Sequence, residues 1–162
     1  MAKTWATTKA IVSNYNDPDL VAIKWFPEAS GQTFKEGDFV YLASGLVTVA
    51  VATTVTLLGI AMRDASGTAN TSIPVQMFTP TGFVTMNVLG ASAADKVFAA
   101  SLVGAEYDLQ VVSAGIWAVD SGTSSYDTVQ VVQLIDDGAV GDTNARCLCR
   151  IASNKLQLQT TT

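Results

Sequence analysis

A two-residue alternation of apolar and polar positions runs through much of the chain. Phe39, Tyr41 and Ala43 alternate with Val40, Leu42 and Ser44, and Val47, Val49 and Val51 fall on one side of the next segment, as half-buried strands require. The same period marks residues 73–78, 83–88, 107–111, 116–120, 129–135 and 146–151 as strands. Turn-forming residues separate these runs: the cluster from Asn14 to Asp19, then Pro27, Gly31, Gly37, Gly45, Gly67, Pro80-Thr81-Gly82, Gly90, Gly104, Gly115, Gly122 and Asp137-Gly138. Many lie about ten residues apart, the spacing of a barrel or sandwich of short antiparallel strands. Pro80-Thr81-Gly82 and Ser113-Ala114-Gly115 each read as the connection of a hairpin, and Pro74 confines its strand to a sheet edge or to a strand's first residue.

The most apolar window, residues 46–62, is broken by Thr48, Thr53, Thr54, Thr56 and Gly59 and falls short of the ~20 residues of a spanning helix. It reads as two strands meeting at a Thr-rich turn. Ser92-Ala93-Ala94-Asp95 has the Ser-x-x-acid form of a helix start, so one short helix is expected beside the strands. The pattern therefore predicts an all-β chain: an extended N-terminal arm over residues 1–14, a single small β-barrel or sandwich over 15–156, and a polar, fraying tail over 157–162.

Composition narrows the function. At 162 residues, with 49% hydrophobic residues, the chain fits one domain that buries roughly 70% of its unfolded surface, so its two cysteines have no structural obligation. Nine Lys and Arg against fourteen Asp and Glu give a net charge of −5, which leaves no basic field for a phosphate backbone. Nucleic acid is not an expected partner. The chain has no histidine, which removes Ser-His-Asp and Cys-His catalysis and His-ligated zinc. The first nine residues lack the apolar run of a secretory leader, and neither a membrane nor a small-molecule substrate is expected as a partner.

The remaining candidates for chemistry are weak. Cys147 and Cys149 share one face of a strand with Ile151, while Arg146 and Arg150 take the other, so the thiols read as buried and reduced. A second Cys pair or His ligands would be needed for zinc, and none exists. Asp136, Asp137 and Asp142 around Gly138 and Gly141 lack the spacing of a twelve-residue calcium loop, and Asp-Gly is a common hairpin-turn pair. A cation site and a glycosidase carboxylate pair are the alternatives for these three residues. Asn70-Thr71-Ser72 matches the glycosylation sequon by chance, and no metal or cofactor is expected.

Interaction residues are better represented. Lys3, Trp5 and Lys9 put an aromatic anchor and two positive charges on an otherwise acidic chain, and Lys9-Ala10-Ile11-Val12-Ser13 has the β-propensity to add a strand to a neighbouring sheet. The alternative is that Trp5 packs on its own barrel. Trp25 and Phe26, within Ile23-Lys24-Trp25-Phe26-Pro27, read as core or subunit interface.

The stretch Gly31-Gln32-Thr33-Phe34, Gly37, Val40-Tyr41-Leu42 and Gly45, followed by Leu58-Gly59-Ile60-Ala61, resembles small structural proteins of tailed bacteriophages. The likeness covers about the first 65 residues, with a looser echo at Tyr107-Asp108-Leu109 and Trp117-Ala118-Val119-Asp120. It implies a small β-barrel and a head decoration, or cement, protein: non-enzymatic, commonly a homotrimer, bound to the major capsid protein on the outer surface of the virion after synthesis in the host cytoplasm. It carries no catalytic residue across. Its one functional implication is a capsid-binding N-terminal arm, which falls on Lys3, Trp5, Lys9, Ile11 and Val12. A tail- or fibre-associated phage protein is a second expectation. A carbohydrate-binding β-domain is a third, with Trp5, Trp25 or Trp117 as a stacking platform.

Overall fold

A computed structural model describes residues 11–14, 22–89, 99–135 and 146–158 of the chain. Half of the structure is strand, and among the described residues the only helical segments are two 3-10 turns, Ala100–Leu102 and Ser153–Lys155. The helix expected from Ser92 and the Asp136, Asp137 and Asp142 cluster lie outside the described residues. In chain order the strands are β1 (Ile11–Asn14), β2 (Ile23–Pro27), β3 (Phe39–Ala43), β4 (Leu46–Val49), β5 (Gly59–Ala61), β6 (Ser72–Met77), β7 (Gly82–Leu89), β8 (Glu106–Ser113), β9 (Ile116–Asp120), β10 (Val129–Leu134) and β11 (Arg146–Ile151).

They form two sheets. Strands β7, β11, β10, β8 and β9 are hydrogen-bonded in that order, and a parallel pairing of β9 with β7 through Val88 and Val119 closes them into a five-stranded barrel. Strand β1 adds to β7 at residues 82–85, whereas β9 takes residues 87–89. The second sheet has the order β2-β6-β5-β3-β4 and is antiparallel throughout. It curls until Glu28, just past β2, bridges Val47 of β4.

Strand β3 meets β4 through Ser44 and Gly45, whose φ values of 50° and 82° give the two left-handed positions that a tight two-residue hairpin turn needs. The window 46–62 yields β4 and β5 with the threonines between them, but both strands pair with β3 rather than with each other. The hairpin expected at Ser113-Ala114-Gly115 is present as β8–β9, with a bulge between Val111 and Ser113. The one expected at Pro80-Thr81-Gly82 is not. There β6 belongs to the second sheet and β7 to the barrel, because β2 and β5 already occupy both edges of β6.

Pro74 also departs from expectation, since β6 is an inner strand. Its carbonyl accepts from Met62 N–H at 2.9 Å, so its main chain faces the β5 side, where β5 has already ended at Ala61. On the other side Pro74 lies opposite Trp25 in a pair that exchanges no hydrogen bonds. The missing N–H therefore forgoes a single bond, to the Met62 carbonyl, just past the last residue of β5.

Two apolar clusters result. The larger fills the barrel with Val84, Met86, Leu109, Val119, Val129, Val131, Cys147 and Cys149, and continues into the seam between the sheets through Phe39, Ile60, Leu57, Phe78 and Trp117. The smaller lies within the curled sheet around Phe34, Val40, Val47, Leu58, Ile73 and Val75. At the seam Phe39 stacks on Trp117 with centroids 4.8 Å apart and meets Phe78 edge-on at 5.0 Å, contacts worth about 1 kcal/mol each beyond their buried area. The chain end ties down the same seam. Leu57 N–H donates to the Lys155 carbonyl, Gln157 N–H donates to the Leu57 carbonyl, and the Gln157 amide bonds both main-chain groups of Leu42. Gln157, assigned to the fraying tail by its polarity, is thus held as a neighbouring strand would be.

Candidate functional site

Three buried carboxylates stand out among the described residues, and each is spent on main-chain donors. Asp38 accepts from Gly115 N–H at 2.7 Å and Trp117 Nε1–H at 3.0 Å through Oδ1, and from Lys35 N–H at 2.7 Å through Oδ2. It is the polar clasp between the sheets, since Lys35 precedes β3 while Gly115 and Trp117 belong to the β8–β9 hairpin. Gly115 is required there twice over: its φ is +75°, and a Cβ would sit 2.5 Å from the Glu36 carbonyl oxygen.

Glu28, fully buried, accepts from Ser66 N–H, Ser66 Oγ–H and Gly67 N–H at 2.7–3.0 Å and so fixes the turn that runs to Asn70. Asn70, the sequon residue, takes φ 64° in that turn. Asp108 gathers Ser125, Tyr126 and Asp127 N–H at 2.6–3.0 Å and shapes the loop between β9 and β10. A carboxylate that accepts two or three N–H bonds is a capping device, with its lone pairs already committed. No sequence pattern marked these three, because a lone Asp or Glu looks the same in sequence whether solvated or buried.

Cys147 and Cys149 lie side by side in the barrel with Sγ atoms 3.3 Å apart, both buried, as their shared strand face predicts. Burial, reinforced by the contact with Cys147, pushes the Cys149 thiol well above its ordinary value, so at neutral pH it is a thiol and a poor nucleophile. Among the described residues no three His, Cys, Asp or Glu side chains are grouped to hold a metal ion.

The expected interaction residues separate. Lys3, Trp5 and Lys9 lie outside the described residues. Ile11 and Val12 are in β1, opposite Thr85 and Val84 of the same chain, so on one side their main chain is taken by β7. Phe26 packs against the smaller core, whereas Trp25 points outward and is 63% exposed with Ile23 beside it at 45%. The alternation of one strand thus divides the pair that was expected to act together. Trp117, one of the three aromatics proposed for sugar stacking, is 1% exposed and presents no exposed stacking face.

Recesses lie elsewhere among the described residues. One of about 430 Å³ lies on the outer barrel wall between Phe83, Val132, Leu148 and Arg150, with Arg150 bonded to Gln130. Another of about 300 Å³ opens at the seam near Phe34, Val51 and Val111. No protein-family model matches the chain, and neither does any curated protein sequence.

Proposed function

We propose that this chain is a non-enzymatic structural protein of a tailed-phage virion, which binds the outer surface of the capsid and stabilises the shell. The observation that carries the reading is Trp25, a large aromatic left 63% exposed on an edge strand of the second sheet. Exposed Trp is a frequent interface anchor, whereas a residue needed only for folding would be buried. The resemblance to phage structural proteins supplies the partner class. The residues that carry it serve the fold: Phe34 is core, Gln32 Oε1 accepts from Val49 N–H at 2.9 Å, and Gly59 lets β5 approach β6. The three buried carboxylates, bound to main-chain donors, support a structural role over a catalytic one.

Trimeric assembly suits such a task, because three modest contacts act together once the first is made. The test is co-sedimentation of the full chain with undecorated capsids of its phage. Saturable binding in a fixed ratio to the capsid subunits is expected, and absence of binding overturns the proposal. Exposure of Trp25 also favours a second reading, a glycan-binding domain, which saturable oligosaccharide binding without capsid binding would establish.

A further inference from the structure

We infer that the outer edge of β2 receives an extended segment of a partner protein, one with an acidic residue flanked by apolar ones; under the function proposed above, that partner is the capsid protein.

The direction of the main chain follows from the hydrogen bonds at the two ends of β2. The Ala22 carbonyl accepts from Met77 N–H at 2.9 Å and Glu28 N–H donates to the Thr71 carbonyl at 2.8 Å. Residues 22, 24, 26 and 28 therefore turn their polar groups to β6, and 23, 25 and 27 turn theirs outward. Ala29 N–H, which reaches the Val47 carbonyl at 3.0 Å on that outer side, obeys the same parity. Among the described residues no strand pairs with this edge from Ile23 to Phe26, whereas the Pro27 carbonyl is taken by β4 in the bridge between Glu28 and Val47. It offers the N–H groups and the carbonyls of Ile23 and Trp25, beside two exposed apolar side chains.

A second copy of the chain does not fit this edge. An antiparallel self-pairing that uses both N–H groups centres on Lys24 and places it directly opposite its own symmetry mate, where like charges repel at Cα separations of about 4.5 Å. Shifting the centre to Trp25 sets Pro27, which has no N–H, against Ile23 and loses a bond at each end. Lysine and proline on an edge protect it from its own kind. A carboxylate opposite Lys24 converts the same residue from a barrier into a selector, with apolar neighbours meeting Ile23 and Trp25.

Two measurements test this separately from the capsid reading. Blocked peptides Thr-Val-Glu-Val-Thr and Thr-Val-Lys-Val-Thr are titrated into the full chain while amide exchange at Ile23 and Trp25 is followed. The Glu peptide is expected to bind and slow exchange at both amides; Lys24→Glu is expected to reverse the peptide preference, and Trp25→Ala to weaken binding at least tenfold. Equal binding of both peptides, or none, overturns the edge site, as does a dimer of the parent chain that Trp25→Ala dissolves. In capsid co-sedimentation, Lys24→Glu and Trp25→Ala are each expected to lose about tenfold in affinity while Val55→Ser, at an exposed loop position, loses none. Undiminished capsid binding by both edge variants overturns the inference and leaves the function standing; peptide binding without any capsid binding does the reverse.

Discussion

Replacing Asp38 by alanine should be among the most damaging single changes in the chain. The substitution removes acceptors from three N–H donors, of which Gly115 N–H and Trp117 Nε1–H are buried at the seam. A buried donor left unpaired costs about 1–3 kcal/mol, so two cost about 4 kcal/mol together, and the half-buried Lys35 N–H adds little because solvent can replace its partner. Against a total stability of about 5–15 kcal/mol this is a large fraction. With a urea m-value of about 2 kcal/mol/M, the unfolding midpoint should fall by about 2 M, and the melting temperature by roughly 8–16 °C. Asp38→Asn keeps a carbonyl oxygen for Gly115 and Trp117 but turns an NH2 group toward the Lys35 N–H and gives up the charge-assisted strength of the remaining bonds, so its cost should be about 1–2 kcal/mol. Asp64→Ala, which breaks the exposed Lys35–Asp64 ion pair at 2.8 Å, should cost under about 1 kcal/mol. Equilibrium urea unfolding followed by far-ultraviolet circular dichroism measures all three. An Asp38→Ala protein within 1 kcal/mol of the parent, or no gradation from alanine to asparagine, would refute the clasp.

Gly59→Ala should destabilise the protein by about 3 kcal/mol in the same assay, because the added Cβ would lie 2.1 Å from the Gln76 carbonyl oxygen and would force β5 from β6. Gly31→Ala, at φ +72° but in open space, should cost only about 1 kcal/mol. Asp108→Ala should speed amide exchange at Ser125, Tyr126 and Asp127 at least tenfold while leaving the barrel amides protected. Cys149 gives a pH dependence: its folded pKa lies above the ordinary value of 9.0, so its contribution is complete below that pH and is lost as pH rises, when the unfolded thiol ionises first. The urea midpoint should fall above about pH 9, and less so in Cys149→Ala; a pH-independent midpoint from 8 to 10.5 would contradict this.

The strands were legible because their period of two survives in short windows, as at Phe39 to Leu42 and Cys147 to Ile151. Pairing was legible where a short connection leaves little choice, as at Ser113-Ala114-Gly115. At Pro80-Thr81-Gly82 the local signal is that of a hairpin, and what decides otherwise is the occupancy of both edges of β6 by β2 and β5, a long-range fact. Pro74 misled for the same reason: a strand-interior proline is tolerated where the partner strand ends, and the end of β5 is not written near residue 74. The aromatic group at Trp25 and Phe26 reads from sequence as core or subunit interface alike, and only the register of β2 on β6 shows which ring faces out. Asp38 escaped notice because its partners lie 77 and 79 residues away.

The central claim is that this chain strengthens a capsid from outside. Heating undecorated, genome-filled capsids with and without saturating protein, while a DNA-binding dye reports release, tests it most directly. The account predicts that decorated shells retain their DNA to a higher temperature, with the gain saturating at the binding stoichiometry and shrinking with Trp25→Ala at a concentration that saturates the parent. Identical release temperatures with the protein bound would contradict it.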